Sequence, residues 1–405
     1  MDLMALRELE DLLDIPELHL SGYEKQPDRV TISAELRRQS AVCSECGTRS
    51  TRRHGGKRIE VRDLPCFGRQ IYVNLPRRRF KCRSCGKPFT ERLAFVEFGT
   101  KFTRRYGEYV FAQCYERSLA AVASQEGISD TVVRDLYDRH SSAQVKPRGK
   151  PKTLRVLGLD EISMKKGHRH FVCVITDLDR KRVLEVLGDR LKETVLAYFT
   201  GLPPSVRQSI RYVSIDMWEG YYQAVKEGLP KRVKVVIDRF HVMKQLNAAL
   251  TQCRRELQRA ATTQEAKDEL KGLRWILVTN ESNLDAEQKA RLRQLYRTCP
   301  KLKTCHRLKE EFRKIFDEET QRTHADQRLK NWKARARKTD LVSMQKFVDT
   351  LENWEEWILN YFTSGKITNG VVEGLNNKIK LIKRRGYGYR NNGNFRQRVL
   401  TECAG

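Results

Sequence analysis

The chain has 405 residues, with 79 Lys and Arg against 51 Asp and Glu, a formal net charge of +28. A hydrophobic share of 39% with 15 Phe and 14 Tyr excludes a disordered basic tail, and no run approaches the ~18 apolar residues of a membrane span. This length exceeds one ordinary core, so two to four domains are expected, and cationic runs at 77–83, 146–152, 333–338 and 378–385 point to a polyanionic partner along an extended path.

The first residues, MDLMALRELEDLLDI, are acidic and amphipathic, which argues against a secretory signal. Eleven Cys is an odd number for a disulfide framework, so a reducing, cytoplasmic compartment is expected. Residues 1–98 read as a helix followed by short strands such as RVTIS (29–33) and RQIYVNL (69–75), with EKQPD (24–28) and RHGGK (53–57) as turns. Within them, Cys43-x-x-Cys46 and Cys82-x-x-Cys85 form two knuckles. Each places two thiolates on one tight turn, and two such turns close a tetrahedral site for one structural Zn²⁺. Gly47 and Gly86 follow each second Cys, where the knuckle needs permissive backbone. The long gap between the knuckles predicts a strand pair, and His54 is a reserve ligand.

Residues 99–145 switch to helical periodicity. The stretch 118–140 reads as a helix-turn-helix, with Ala120, Val122, Ala123 and Ile128 packing, Gly127 at the turn, and Ser129 or Asp130 capping a second helix. Its exposed face offers Thr131, Arg134 and Arg139 to a DNA groove; an ordinary helical hairpin is the alternative. Residues 146–154 (KPRGKPK and its flank) form a basic linker.

From 155 to 242 the order is three strands, helix, strand, helix, strand: RVLGLDEI, HFVCVITD and RVLEVLG, a helix at 190–200, IRYVSID, a helix at 218–228, and KVVID. This predicts a mixed sheet with flanking helices. Residues 243–365 read as an all-helical insertion, too long for a loop, and 366–405 return to the core through an amphipathic helix.

Asp160, Asp216 and Asp238 each follow an apolar strand. In a sheet of order 3-2-1-4-5, the first and fourth strands are neighbours about 4.8 Å apart, so Asp160 and Asp216 are the pair able to share metal, with Asp238 one strand further off. Asp238 and His241, three apart at a strand–helix junction, flank the site or bond each other; a helix-capping Asp with a satisfied His is the alternative. Glu161 is expected on the opposite pleat face from Asp160, and Asp177 and Asp179 belong to a hairpin turn. Asn369, Glu373, Asn376, Asn377 and Lys380 share one helical face, so Glu373 is the candidate third acid. Trp218, Trp332, Trp354 and Trp357 are expected in packing, with base stacking as the alternative.

With these motifs in hand, the chain resembles the bacterial insertion-sequence transposases designated ISL-three, D-D-E recombinases with an RNase H-like core. The likeness lies in GLDEISMKKGHRHFVCVITDLD, VSIDMWEGYYQAVKEGLP, VVIDRFHVMKQLNAAL and ITNGVVEGLNNKIKLIKRRGYGYRNNGNFRQRVL, together with the four-Cys ribbon and helix-turn-helix. It implies a multidomain α+β and α/β protein: zinc ribbon, helix-turn-helix and RNase H-like mixed sheet, interrupted by an all-α insertion. It also implies Asp160, Asp216 and Glu373 as the catalytic triad holding two Mg²⁺ (or Mn²⁺) ions, with Asp238 and His241 auxiliary. Lys378, Lys380, Lys383, Arg384 and Arg385 would hold phosphates. The partners implied are double-stranded DNA, as terminal inverted repeats and as target, and a second copy of the chain, acting at the bacterial nucleoid. A non-catalytic DNA-binding regulator and a metal nuclease that cuts without joining are the alternatives.

Overall fold

In the computed structural model, residues 3–145, 153–164, 170–367, 370–389 and 391–403 are described. The chain divides into two units, Met1–Lys146 and Pro147–Gly405.

The first unit begins with α1 (Leu3–Leu13), whose Leu6, Leu9 and Leu13 repeat at helical spacing and pack on a five-stranded sheet. Its strands are β1 (Leu18–Lys25), β2 (Arg29–Leu36), β5 (Arg53–Cys66), β6 (Arg69–Lys81) and β7 (Pro88–Thr90), in the order β1-β2-β6-β5 with β7 on β6. The short pair β3 (Ala41–Val42) and β4 (Arg49–Ser50) forms its own two-stranded ribbon. As expected, a long antiparallel hairpin, β5–β6, spans the gap between the knuckles. The reading of RHGGK as a turn is corrected: it opens β5, with a register shift between Arg53 and Gly56. A Cβ on Gly56 would meet the Arg77 carbonyl oxygen at 2.8 Å, so glycine serves close strand approach at a bulge. The reversal lies instead at Phe67-Gly68, both at positive φ (49° and 73°), as a two-residue hairpin turn requires.

Three helices complete this unit: α2 (Arg104–Gln113), α3 (Leu119–Glu126) and α4 (Asp130–Val145). Ser118 caps α3 by accepting from the Ala121 amide, Gly127 ends it in the left-handed region (φ 63°), and the Ser129 hydroxyl accepts from the Val132 amide to start α4. Val122, Ala123, Val133, Leu136 and Tyr137 are buried between the helices. Ala120 is exposed, and Leu119 packs instead. The sheet and the helices keep separate hydrophobic clusters, joined by a buried polar contact. Arg62 on β5 donates to the Glu126 backbone oxygen (2.6 Å) and carboxylate (3.1 Å), which also accepts from Tyr106 (3.0 Å) and Tyr109 (3.2 Å). The Arg62 guanidinium also lies over the Tyr106 ring.

The second unit is built on β8 (Val156–Ser163), β9 (Phe171–Asp177), β10 (Arg182–Leu187), β11 (Tyr212–Ile215) and β12 (Lys234–Ile237). The sheet order is β10-β9-β8-β11-β12, which is the expected 3-2-1-4-5, antiparallel through β8 and parallel from β8 to β12. Leu157 and Leu159 on central strand β8 and the whole of Val235–Ile237 on edge strand β12 are buried, so both strands are covered on both faces. Helices α5 (Lys192–Thr200), α6 (Pro204–Ser209) and α7 (Glu219–Gly228) connect them, α6 being a helix the sequence reading did not separate. Asp177 pairs with Arg180 and Asp179 with Arg155, so turn structure accounts for both acids.

Helix α8 (Arg239–Ala260) leaves the last strand and runs without a break into the helical segment: α9 (Gln264–Glu269), α10 (Arg274–Val278), α11 (Ala286–Thr298), α12 (Pro300–Glu318), α13 (Arg322–Arg337) and α14 (Val342–Leu359). These helices share one continuous hydrophobic interior with the sheet. Trp332 is fully buried, its indole nitrogen donating to the Leu308 carbonyl at 2.8 Å, while Trp354 packs edge-on and Trp357 tilted against Tyr222 of α7. Beyond α14, Asn360 donates to the Val235 carbonyl (2.8 Å), satisfying an acceptor on edge strand β12. Helix α15 (Gly370–Arg385) then crosses back toward β8, and α16 (Asn392–Cys403), which the sequence reading did not resolve as a helix, lies along β10 with Arg396 paired to Glu185.

Candidate active site

The β8–β11 ladder aligns Ser214 with Gly158, so the two acids that follow two residues later, Asp216 and Asp160, stand level at adjacent strand ends. The apolar runs before them are what fix this. A one-residue slip would turn each buried strand inside out. Asp238 follows β12, one strand further along, and is 2% exposed. Its side chain caps α8 by accepting from the Phe240 amide at 3.3 Å. One cleft of about 1230 Å³ is lined by Asp160, Asp216, Asp238, His241 and, from α15, Glu373, Asn376, Asn377, Lys380 and Lys383. Residues separated by 216 positions meet there: the Asn376 amide donates to Asp160 Oδ2 at 2.6 Å, and the Glu161 amide holds Oδ1 at 2.7 Å.

Glu161, which its place one residue after Asp160 set apart from the site, is not remote from it. It lines the same cleft and pairs with Arg190, which in turn lies over the rings of Phe171 and Trp218. The β8–β11 ladder ends at Gly158, so beyond it β8 has an open edge and the cleft reaches residues from both faces of its pleat. Trp218 is accordingly half-exposed, unlike the three packed Trp of the helical segment.

Burial pushes the Asp216 carboxyl up to about 6, and the negative charges of Glu161 and Asp160 push the same way, against His241 and Arg190. Its Oδ1 is buried without a hydrogen-bond partner, as are Asn376 Oδ1 and Asn247 Oδ1, and all three residues line this cleft. Three unsatisfied oxygens beside clustered carboxylates are costly in a folded interior unless a cation satisfies them. Hard oxygen donors of this kind suit Mg²⁺ or Mn²⁺. Asp160, Asp216 and Glu373 share the cleft without their ligand atoms all lying within 4.8 Å; among the described residues only the four thiols of the ribbon do.

Helix α15 sorts its charges by face. Glu373, Asn376, Lys380 and Lys383 recur at spacings of three and four and look into the cleft, where Lys383 donates to the Ser163 carbonyl at 2.7 Å. Arg384 is exposed and outside the cleft lining. Lys378 and Arg385 stand outside the cleft lining and are engaged by Glu402 of α16, Lys378 through its carbonyl and Arg385 through its carboxylate. They lie about 120–140° around the helix from Glu373, at ~100° per residue. Asn369 falls outside the described residues. The sequence reading missed Asn247, although His241, Lys244, Asn247, Ala248 and Thr251 form one face of α8 and all line the cleft. It also missed Arg274, Asn280 and Arg313, which reach the cleft from α10, the turn after it, and α12. No local pattern announces these three, because their position depends on how the helical segment folds back.

In the first unit, Cys43 Sγ lies 3.8 Å from Cys85 Sγ and Cys46 Sγ 3.5 Å from Cys82 Sγ, with all four sulfurs within 4.8 Å of one another. Zn–S bonds of about 2.3 Å demand S···S edges of ~3.8 Å, so the thiols fit a tetrahedral zinc. The knuckles are built alike. Gly47 and Gly86 (both φ 73°) donate to the carbonyls of Cys43 and Cys82. The Thr48 hydroxyl and amide hold the Cys46 thiol down to about 6. Against the Lys87 amide, burial and the neighbouring thiols push Cys85 up to about 11, as crowded sulfurs that cannot all ionise without a cation must divide their protons. His54 stands outside this cluster. On α4, Thr131 and Arg134 are exposed, whereas Arg139 is held by Asp135 and the Phe98 carbonyl.

Comparison with known proteins decides the family. A transposase family model of the ISL3 (ISL-three) type matches residues 157–399, more than half of the chain. The chain belongs to the ISL3 transposase family. A second model, the zinc finger of the transposases of IS204, IS1001, IS1096 and IS1165, matches residues 39–85, which contain all four ribbon cysteines. The chain is 30% identical over 387 residues to the transposase of insertion sequence IS1001 from Bordetella parapertussis, covering 95% of this chain and 94% of that one. It is 25% identical over 389 residues to the transposase of IS1557 from Mycobacterium tuberculosis, covering 90% and 86%. The four-Cys ribbon is therefore a structural zinc site of this family, and no helix among the described residues is long and apolar enough to cross a membrane.

Proposed function

We propose that this ISL3-family chain binds the terminal inverted repeats of its insertion sequence and catalyses metal-dependent 3′-end cleavage, then strand transfer into target DNA. The observation that supports this most is the cleft in which Asp160, Asp216 and Glu373 converge from β8, β11 and α15, with unsatisfied oxygens on Asp216, Asn247 and Asn376 and two lysines. The three carboxylates would hold two Mg²⁺ or Mn²⁺ ions. When bound, these supply Lewis-acid activation of a water, and later of the freed 3′-hydroxyl, for in-line attack at phosphorus. Asn376 fixes the Asp160 carboxylate, so its Oδ2 lone pairs face a set direction. Lys380 and Lys383 bind the phosphates on either side of the scissile bond and orient the strand for attack. The Asp238 cap sets the angle at which α8 leaves the sheet, and with it the position of His241 beside Asp216. In the first unit, Thr131 and Arg134 of α4 would read base edges, with the zinc ribbon contributing backbone contacts. Two copies of the chain would hold the two element ends together in the bacterial cytoplasm.

The test mixes purified protein, Mg²⁺ or Mn²⁺, a labelled element end and a target plasmid. Wild type joins the end to the plasmid, and Asp160→Asn, Asp216→Asn and Glu373→Gln each abolish joining. Cutting without joining would make the protein a nuclease. DNA binding with neither step would make it a regulator, and full activity in any one variant removes that residue from the triad.

A further inference from the structure

The cleft face of α8 does not stop at the cleft. His241, Lys244, Asn247, Ala248 and Thr251 line the catalytic cleft, and the next residues at the same helical spacing, Arg254, Arg255, Gln258 and Arg259, line a separate open groove of about 660 Å³. At ~100° per residue all of these fall within an arc of about 140°. The groove is completed by Lys267 of α9 and by Lys271, and Asp268 is the single acid in its lining. Between the two stands Arg274, which lines the cleft and lies over the exposed ring of Trp275.

These cations lack counter-ions. Among the described residues, none of Arg254, Arg255, Arg259, Lys267, Lys271 and Arg274 lies within 4 Å of a carboxylate, whereas α12–α14 carry pairs such as Lys333–Glu355 and Arg328–Glu319. Arg254 is the strut of the groove. It donates to Gln258 (3.0 Å) and to the Leu270 carbonyl (2.8 Å), while its Nε is buried without a partner. Burial, with Arg255 and Arg274 nearby, holds the Arg254 guanidinium below its usual range, so positive charge here is not neutralised by the fold itself. Clustered unpaired cations repel one another and are stabilised by a polyanion.

We propose that the α8–α9 groove is a second binding surface for the duplex DNA backbone, continuous with the catalytic cleft, so that the helical segment grips DNA beyond the site of chemistry. This rests on the function proposed above. From Lys244 to Arg259 the helix advances about 22 Å at 1.5 Å per residue, which corresponds to ~6–7 base pairs at 3.4 Å each. A polar lining with cation pairs at i, i+4 spacing, Arg255 with Arg259 and Lys267 with Lys271, suits a phosphate backbone rather than an acidic protein, which would also need apolar anchors.

The experiment measures binding of the full-length protein to a 30-base-pair duplex of arbitrary sequence as a function of salt. Comparison is made with Arg255→Gln/Arg259→Gln/Lys271→Gln, three exposed positions outside the catalytic cleft. Each lost phosphate contact removes about 0.9 from the slope of log affinity against log salt, so the triple variant is expected to lose ~2.7. Replacing the two arginines by lysine instead retains the slope. Should the triple variant melt below wild type, Lys271→Gln alone is expected to lose ~0.9. An unchanged slope in a variant that melts like wild type overturns the proposal and leaves the groove to an acidic protein partner. If wild type cleaves element ends yet the slopes match, only this inference falls; if wild type neither binds nor cleaves DNA, the proposed function falls with it.

Discussion

Replacing Asp216 by Asn separates the stability of this fold from its chemistry. An ordinary Asp carboxyl titrates near 3.8, and this one is pushed up to about 6 by burial and by the charges of Glu161 and Asp160. The folded state therefore holds a proton more tightly than the unfolded state does. Stability from that proton is fully present below about pH 3.8 and is lost as pH rises through about 6. Two pH units at 1.36 kcal/mol each give ~3 kcal/mol of destabilisation at pH 8. Coupling to Asp160 and Glu161, and the amide hydrogens that Asn must place, reduce the expected gain to ~1–3 kcal/mol. The variant should thus melt higher than wild type at pH 8 without magnesium, by ~2–4 °C per kcal/mol for a unit of this size, while losing strand joining. Calorimetry at pH 5, 6.5 and 8 in magnesium-free buffer that retains zinc should show the gap opening as pH rises. Adding Mg²⁺ or Mn²⁺ should close it, since a ligand that binds only the native wild type stabilises that form. A variant that melts lower than wild type at pH 8, or a gap independent of pH, would refute the electrostatic account of Asp216.

Asn376→Ala removes the amide that positions Asp160 and is expected to slow joining by ~10–100-fold, with melting little changed and part of the loss recovered at raised Mn²⁺; wild-type rates would sink the positioning role. Asp238→Asn keeps a side chain able to cap α8, so it should impair joining less than Asp216→Asn does, and the reverse ranking would show that the outer strand carries the metal. Metal analysis should find one zinc per chain, and none in Cys43→Ser/Cys82→Ser, with the first unit losing cooperative melting. Arg62→Ala strands the buried Glu126 carboxylate, and a loss of ~3–5 kcal/mol is expected in chemical denaturation of the first unit; a change below 1 kcal/mol would mean that Tyr106 and Tyr109 suffice for that charge.

What the sequence determined by itself is local and periodic. CxxC pairs followed by glycine specify knuckles whatever surrounds them, because two ligands and one permissive residue lie within a single turn. The runs VLGLD, YVSID and KVVID specified buried strands ending in acid, and their alternation with helices specified a mixed sheet, whose order the structure gives as β10-β9-β8-β11-β12. Given the strand order, Asp216 stands beside Asp160 and Asp238 one strand further off, and the spacing of Glu373, Asn376 and Lys380 already marked one face of α15.

Tertiary structure decided what no window of residues contains. Lys378 and Arg385 carry the same charge as Lys380 and Lys383, yet α16 takes the first two while the cleft takes the others. Glu161 joined the site because β8 outruns its neighbour, a property of two strand lengths rather than of one pattern. RHGGK became a bulged strand because β6 comes close enough to exclude a Cβ at Gly56. Helical periodicity announced the segment between β12 and α15, but its fold alone brings Arg274 and Arg313 to the cleft and leaves the α8–α9 cations without a carboxylate partner among the described residues. Each of these outcomes depends on distances between residues far apart in the chain, set by packing after the local elements have formed.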